Sequence, residues 1–299
     1  MFSSSSPLPS TSPQLADSSA TCNSTAAKAD FSSATAPIIF FEPEEFSGAT
    51  NMALDKVMMN RQAFESSHTS VRFYTWKPWS ISLGKNQTLP PLPDHLASDL
   101  KNIHIVRRMT GGRAVLHGPE LTYCITITKK SPFYDSSVTG SYRKISEALA
   151  LGLQILGARV SLASGRNSGR RSSGPSFCYG AASFHEIISD NRKLIGSAQM
   201  RSGETVLQHG SIPLALPMAQ LRALARWCAF PADEIESSAI SLEQILGYRP
   251  EPENCARAIA LGFMKYLNID SNSANLFRPL PRTWIEMAQA QSDSYIITR

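Results

Sequence analysis

The segment from Val106 to Thr126, VRRMTGGRAVLHGPELTYCIT, constrains the fold of this chain more than any other. Its pattern indicates a strand, a break at Gly111-Gly112, a second short strand, a turn at Gly118-Pro119 and a final alternating strand. A double glycine between strands tolerates positive φ and allows a ligand to approach the backbone closely. The pattern therefore predicts a hairpin, which is either an ordinary glycine turn or the frame of a binding site.

Charged side chains concentrate on this predicted hairpin. They are Arg107, Arg108, Arg113 and His117. Cations and backbone N–H groups gathered at a bend favour a site for an anionic or acyl ligand. His117 alone leaves two interpretations open, a base and a buried imidazole that only satisfies the core. The same two interpretations apply to His209.

The composition argues against several classes of protein. Of the 299 residues, 42% are hydrophobic, which is enough for a globular core. A net charge of +5 without a compact Lys/Arg run argues against nucleic-acid binding. No apolar run reaches the roughly 18 residues that a membrane span needs. The five scattered cysteines without CxxC spacing predict a reducing compartment, taken as cytoplasmic, and no metal site.

Three regions follow from the distribution of apolar residues. Residues 1–36 are rich in Ser, Thr, Ala and Pro, which predicts a disordered tail. This tail lacks the arginines of a transit peptide and the apolar block of a secretory signal. We expect one folded domain over residues 37–270 and a short C-terminal extension over residues 271–299.

Hydrophobic periodicity predicts an α+β domain in which groups of antiparallel strands alternate with helices. Alternating or short apolar segments predict strands at 37–41, 71–76, 79–83, 186–189, 193–199 and 205–212. Segments with helical spacing predict helices at 49–63, 94–102, 141–156, 218–230, 241–246 and 252–267, with one more after Pro279. Turns at Asp190-Asn191 and Ser202-Gly203 would make the strands between 186 and 212 consecutive and antiparallel.

Cys178 differs from the other cysteines of the domain because it follows a Ser/Arg/Gly-rich loop at 161–176 and precedes Tyr179-Gly180. We expect this position to be exposed. Lys193, at the start of a later strand, would lower the pKa of the Cys178 thiol and hold the reactive thiolate. An inert cysteine and an exposed lysine are the alternative interpretations. No Walker loop, HExxH or GxGxxG motif accompanies these residues.

Three segments together resemble the family of biotin/lipoate protein ligase and octanoyltransferase catalytic domains. Residues 107–117 resemble the family signature, residues 73–84 resemble the strand pair before it, and residues 191–199 with 207–212 resemble its lysine strand and the returning strand. The resemblance spans residues 37–267. It implies a mixed, mainly antiparallel sheet flanked by helices, as in the class II synthetase-like catalytic domains.

The resemblance also implies which residues form the site. Cys178 and Lys193 correspond to the catalytic residues of the cysteine-dependent octanoyltransferases. The substrate-binding residues that it implies are Arg107, Arg108, Gly111, Gly112, Arg113, His117, Gly196, Ser197 and His209. The acyl group is expected to reach a lysine of a lipoyl domain of a 2-oxoacid dehydrogenase or of glycine-cleavage H protein.

Four activities are open within this resemblance. An octanoyltransferase takes the acyl group from octanoyl-acyl carrier protein through a thioester on Cys178 and needs no cofactor. A lipoate ligase instead uses ATP and Mg to form lipoyl-adenylate. An amidotransferase moves the acyl group between lipoyl domains, and an inactive relative only binds such domains. The cysteine before the lysine strand, and a remainder after Leu267 too short for an accessory domain, favour the octanoyltransferase.

The loop at 161–176 departs from the family pattern, because it is longer than the family leads us to expect. It carries Arg166, Arg170 and Arg171. Acyl carrier protein and lipoyl domains are typically acidic, so we expect this basic loop and the net positive charge to help dock them.

Overall fold

The structure is a computed structural model that describes residues 1, 38–64, 69–163, 185–270 and 276–297. Its strands are β1 (Ile38–Phe46), β2 (Thr69–Trp76), β3 (Ser80–Leu83), β4 (His104–Arg107), β5 (Val115–His117), β6 (Glu120–Thr128), β7 (Ser161–Leu162), β8 (Ile187–Ser189), β9 (Arg192–Lys193), β10 (Gly196–Ser202), β11 (Thr205–Pro213) and β12 (Phe277–Arg278). Its α-helices are α1 (Gly48–Phe64), α2 (Asp94–Ala97), α3 (Val138–Ile155), α4 (Met218–Trp227), α5 (Ile235–Ser238), α6 (Leu242–Leu246), α7 (Pro252–Tyr266) and α8 (Arg282–Gln289). Two 3-10 turns lie at Ala232–Glu234 and Ser292–Tyr295.

The main sheet has six strands in the order β10-β11-β6-β2-β1-β12. The three pairs from β10 to β2 are antiparallel, whereas β2 with β1 and β1 with β12 are parallel. The strands β6 and β11 are buried along their whole length, because the centre of the sheet is covered on both faces. The predicted α+β fold with a mixed, mainly antiparallel sheet is confirmed.

Different helices cover the two faces of the main sheet. On one face, α3 and α7 enclose an apolar cluster that includes Phe73, Tyr123 and Phe263. A Cβ on Gly152 of α3 would lie 2.4 Å from Cα of Ile259 in α7, so glycine is needed for the two helices to approach this closely. On the other face, α1 packs against the sheet together with α8.

The hairpin predicted at Gly111-Gly112 is wrong. The strands β4 and β5 lie on opposite sides of β3, in a small sheet of order β4-β3-β5, and do not pair with each other. Their connection crosses the end of β3, where the N–H of Arg108 donates to the carbonyl of Leu83 over 3.0 Å. A loop of this length can cross a neighbouring strand, whereas a two-residue hairpin turn cannot.

The single strand predicted at 193–199 is divided between two sheets. The strand β9 ends at Lys193 and pairs with β8 in a sheet of order β7-β8-β9, whereas β10 begins at Gly196 and pairs with β11. Leu194 and Ile195 lie between them, and both side chains enter the same apolar cluster. Successive residues of a continuous strand point to opposite faces, so burying both in one cluster ends the strand here.

Two helices end earlier than their periodicity predicts. The segment at 94–102 is α-helical only from Asp94 to Ala97, and the segment at 218–230 only from Met218 to Trp227. Ala229, two residues after α4, has a φ of 51°, and the turns that follow α2 at 98–102 end at Asn102 with a φ of 62°. Residues in this left-handed region cannot continue a right-handed helix, and hydrophobic spacing alone does not reveal them.

Residues 276–297 pack onto the same fold. The strand β12 pairs with β1, and the ring of Trp284 in α8 contacts Phe41 edge-on with 5.5 Å between the centroids. The tail predicted at 1–36 lies outside the described residues apart from residue 1. Within the described parts of the chain, no helix combines the length and apolar character that crossing a membrane requires.

Candidate active site

A cavity of about 60 Å³ lies where α1, the main sheet and the β4-β3-β5 sheet meet. Six of the predicted substrate-binding residues line it: Arg108, Gly112, His117, Gly196, Ser197 and His209. Arg107, Gly111 and Arg113 are not among its lining residues. Met52, Tyr74, Trp76 and Val115 give the cavity a largely apolar wall. Sequence segments far apart in the chain therefore contribute to one cavity.

Arg107 and Arg108 hold the backbone around the cavity rather than pointing freely into it. The guanidinium of Arg107 donates to the carbonyls of Gly84 and Gln87 over 2.9 and 2.7 Å. The guanidinium of Arg108 donates to the carbonyls of Ser82 and Gly111, each over 2.9 Å. Arg107 therefore holds the loop that follows β3, and Arg108 holds the loop between β4 and β5. The substrate-binding role of both arginines stays a prediction.

Two glycines allow this loop to lie against the end of β3. Gly112 has a φ of 97°, a conformation that side chains disfavour. A Cβ on Gly84 would lie only 2.0 Å from the carbonyl oxygen of Gly112. The loop and the strand end are thus in direct backbone contact, which is the close approach that a glycine permits.

We expect Gly84→Ala to lower the free energy of unfolding by about 1–3 kcal/mol, because the obstructing atom is backbone and cannot rotate away. Gly111→Ala is the matched control, since a Cβ on Gly111 would meet nothing within 4 Å. We expect the control to change stability by less than about 0.5 kcal/mol. Urea unfolding of the two variants measures both values, and equal midpoints would contradict the close contact.

His117 is fixed on three sides in the cavity wall. Its Nδ1 lies 2.7 Å from Oε1 of Glu120, and its Nε2 lies 2.8 Å from Oγ of Ser82. Its ring stacks on Trp76 at 3.8 Å between centroids and an interplanar angle of 10°. The structure thus gives His117 features of both interpretations, since it is buried and bonded but also lines the cavity.

His209 belongs to a second buried network, centred on Asp55. The carboxylate of Asp55 lies 2.8 Å from Nδ1 of His209 and 2.9 Å from the guanidinium of Arg72, and it accepts a hydrogen bond from the Tyr74 hydroxyl over 3.0 Å. The Nε2 of His209 lies 2.6 Å from the hydroxyl of Thr110. This network therefore joins α1 and the main sheet to the loop between β4 and β5.

Sequence reasoning missed Asp55, Ser82 and Glu120. Asp55 carries a signal that could have found it, because it and Asn51 are four residues apart, next to the apolar residues of the same helical segment, and so share one face. Polar residues on the buried face of a helix need partners, which predicts a buried polar cluster. Ser82 and Glu120 carry no comparable local signal.

The two predicted catalytic residues are not both described. Lys193 is buried and forms an ion pair with Glu186, with 2.7 Å between Nζ and Oε1. It is not among the lining residues of the cavity. Cys178 lies outside the described residues, as do Arg166, Arg170 and Arg171. The pairing of Cys178 with Lys193 stays a prediction.

The three described cysteines are poor candidates for a nucleophile. Cys124, Cys228 and Cys255 are buried free thiols. Burial raises the pKa of Cys228 and of Cys255 to about 12. Burial, followed by the neighbouring Asp55 carboxylate, raises the pKa of Cys124 well above its usual range. Because the thiolate is the reactive form, these cysteines are unreactive near neutral pH.

The described residues contain no group of three or more His, Cys, Asp or Glu side chains placed to hold a metal ion. The absence of a cofactor and of a metal site in the whole protein stays a prediction.

The sheet and its flanking helices have the same fold as solved lipoate protein ligases. A bi-partite lipoate protein ligase from Thermoplasma acidophilum superposes with a TM-score of 0.62 at 18% identity, covering 85% of this chain and 92% of that one. A lipoate-protein ligase A bound with ATP superposes with a TM-score of 0.66 at 17% identity, covering 87% and 94%. At such identities the likeness shows the fold alone.

The chain belongs to the lipoyl protein ligase A/B catalytic-domain family, whose model matches residues 47–264. Octanoyltransferase LipM of Moorella thermoacetica is 39% identical over 221 residues, which are 70% of this chain and 80% of the relative. Octanoyltransferase LipM of Oceanobacillus iheyensis is 31% identical over 264 residues, or 86% and 93%. The family resemblance predicted from the sequence is confirmed.

Proposed function

We propose that this protein is an octanoyltransferase that takes an octanoyl group from acyl carrier protein and attaches it to a lysine of a lipoyl domain or of glycine-cleavage H protein. The observation that carries the proposal is the similarity, along most of the chain, to relatives named Octanoyltransferase LipM. The apolar wall of the cavity supports it, because each methylene buried there contributes about 0.8 kcal/mol to acyl binding.

In the proposed mechanism, the thiolate of Cys178 attacks the thioester carbonyl of octanoyl-acyl carrier protein. The C–S bond of the donor breaks, the carrier leaves as a thiolate that takes a proton from water, and an octanoyl thioester forms on the enzyme. A cationic Lys193 beside the thiolate would stabilise it and the oxyanion that follows. The raised pKa of the three described cysteines leaves Cys22 and Cys178 as candidates, and the family resemblance favours Cys178. The neutral amine of the target lysine then attacks the thioester carbonyl and gives one proton to a base, for which Lys193 is the candidate. The C–S bond breaks, which forms the amide and restores the thiolate of Cys178.

Transfer without ATP tests this function against the ligase alternative. The protein is incubated with octanoyl-acyl carrier protein and a lipoyl domain, and in parallel with free lipoate, ATP and Mg. We expect octanoylation of the lipoyl domain in the first reaction and no lipoate-dependent pyrophosphate exchange in the second. Exchange with lipoate and no transfer from the carrier would establish a ligase. Transfer from an octanoylated lipoyl domain in place of the carrier would establish an amidotransferase.

Trp76 is expected to limit the length of the acyl chain, because it lines two neighbouring spaces. It lines the internal cavity and also an outer groove bounded by Trp79 and Pro119. Removing the ring in Trp76→Ala would join the two. We expect the ratio of kcat/KM for dodecanoyl over octanoyl carrier to rise by roughly tenfold or more. Because both kcat/KM values are measured on the same preparation, their ratio does not change if part of the variant is unfolded.

Trp79→Ala is the matched control for this prediction. Trp79 lines the outer groove but not the cavity, and its side chain is 38% exposed. We expect this variant to keep the wild-type preference for octanoyl. A similar change of preference in both variants would contradict the role assigned to Trp76.

A further inference from the structure

The segment at residues 292–297, called here the strap, lies along the outer edge of β4. Ile296 forms an antiparallel bridge with Val106, and the N–H of Ile297 donates to the carbonyl of Ile105 over 2.9 Å. The strand β4 is an edge strand of the β4-β3-β5 sheet. Backbone groups at such an edge form hydrogen bonds with any suitable segment that reaches them, and here the strap takes this position.

The strand β4 leads directly into a loop at residues 108–114, called here the cavity loop. Arg108 and Gly112 of this loop line the cavity. Val106, to which the strap is bridged, lies just before the loop on the same strand. The strap therefore supports the strand from which the cavity loop begins.

A second connection between the strap and the cavity loop runs through Asp55. Tyr295 of the strap packs against the apolar cluster of α1 and the main sheet, as does Met109 of the cavity loop. Burial, followed by the nearby carboxylate of Asp55, raises the pKa of Tyr295. The network of Asp55 reaches the cavity loop through His209 and Thr110. The strap is thus close to both structures that hold this loop.

The strap is held less firmly than the helix before it. In α8, Trp284 is buried and its ring contacts Phe41. In the strap, Ile296 is 49% exposed, and Ile297 is only partly buried against the cluster of α4 and the β4-β3-β5 sheet. Segments with few buried apolar contacts open locally while the rest of the fold stays intact. The strap can therefore detach while α8 remains in place.

We propose that the strap is a latch for the cavity, which keeps the cavity loop closed while it is paired with β4 and lets the loop open when it detaches. Detachment removes the bridge to β4 and takes Tyr295 away from the cluster around α1. The cavity loop is then free to leave the end of β3, where the N–H of Lys85 donates to the carbonyl of Thr110 over 2.8 Å.

This latch is independent of the chemistry that the cavity serves, and it does not depend on which ligand the cavity binds. The strap lies outside residues 47–264, which the family model matches. The latch therefore assigns a role to part of the extension at 276–297 that the family does not supply.

Amide hydrogen exchange of the full-length protein, followed by mass spectrometry of its peptides, tests the latch. Ile297→Ala removes the apolar contact that holds the strap. We expect exchange at residues 108–114 to become about tenfold faster, because the loop opens more often. Exchange in β6 and β11 is expected to stay at the wild-type rate, since these two strands are buried along their whole length and report unfolding of the entire domain.

Ile296→Ala is the matched control. It removes the same side-chain groups from the neighbouring residue, whose side chain is exposed. We expect exchange at residues 108–114 to stay at the wild-type rate in this variant. A similar acceleration of the loop in both variants would overturn the latch.

Thr110→Val tests the coupling in the opposite direction. Valine lacks the hydroxyl that lies 2.6 Å from Nε2 of His209, so the substitution frees the cavity loop without touching the strap. Coupling between two segments is reciprocal, so we expect exchange at residues 292–297 to become about threefold faster.

Three further results would overturn the latch. The first is loop exchange at the wild-type rate in Ile297→Ala. The second is an equal acceleration of the loop, β6 and β11 in that variant, which would show that Ile297 only stabilises the whole domain. The third is strap exchange at the wild-type rate in Thr110→Val.

Discussion

Transfer of octanoyl from the carrier to a lipoyl domain is expected to fall by about 10³-fold or more in Cys178→Ala, because alanine cannot form the thioester intermediate. The measurement is steady-state kcat/KM with both protein substrates. Far-UV circular dichroism and the unfolding midpoint distinguish lost chemistry from lost folding. A loss of transfer with unchanged spectra and midpoint would support Cys178 as the nucleophile.

Cys228→Ala is the control for this experiment. Cys228 is a buried thiol, and its pKa is raised to about 12 by burial, so it supplies no thiolate near neutral pH. We expect the control to retain transfer activity. Undiminished transfer by Cys178→Ala would contradict the thioester mechanism. Loss of transfer in both variants, with both folded, would show that cysteine replacement acts through packing.

The second large effect is expected for stability, on removal of the buried carboxylate at the centre of the α1 network. The side chains of Asp55 and Arg72 are 0% and 1% exposed. Asp55→Ala leaves the guanidinium without its ionic partner, and Nε of Arg72 already has no hydrogen-bond partner among the described residues. Breaking one side of a buried ion pair costs about 3–5 kcal/mol, and we expect a loss of this size.

Urea unfolding followed by circular dichroism measures this loss. The matched control is Glu204→Ala, which removes the carboxylate of an exposed pair with Lys129, whose side chains are 62% and 56% exposed. We expect the control to change the free energy of unfolding by less than about 1 kcal/mol. A similar loss of unfolding free energy in the two variants would contradict this prediction, because it would show that Arg72 does not depend on Asp55 for its stabilisation.

The sequence predicts those parts of the fold in which local pattern and packing agree. The alternating residues of β2 and the long buried strand β11 have clear periodicity, and so do α3 and α7. The motif around Gly111-Gly112 resembles a family signature, and the family match confirms that family. Patterns of this kind are set within a few neighbouring residues, so they are visible before the chain is folded.

Contacts between distant segments could not be predicted in this way. The strand β3 lies between β4 and β5 and pairs with both, so the hairpin that the glycines indicate does not form. Likewise, Ser82 contacts His117 because β3 pairs with β5. Glu120 contacts His117 because the turn after β5 brings the start of β6 next to it. Hydrophobic spacing carries no information about which strands become neighbours. These side-chain contacts can therefore be identified only from the structure.

Intact-protein mass after incubation with octanoyl-acyl carrier protein, without ATP, tests the central claim most directly. We predict that the wild type gains one octanoyl group, that hydroxylamine removes it, and that peptide mapping places it on Cys178. The absence of any adduct, together with lipoyl-domain modification only when ATP and free lipoate are supplied, would contradict this account and identify a ligase.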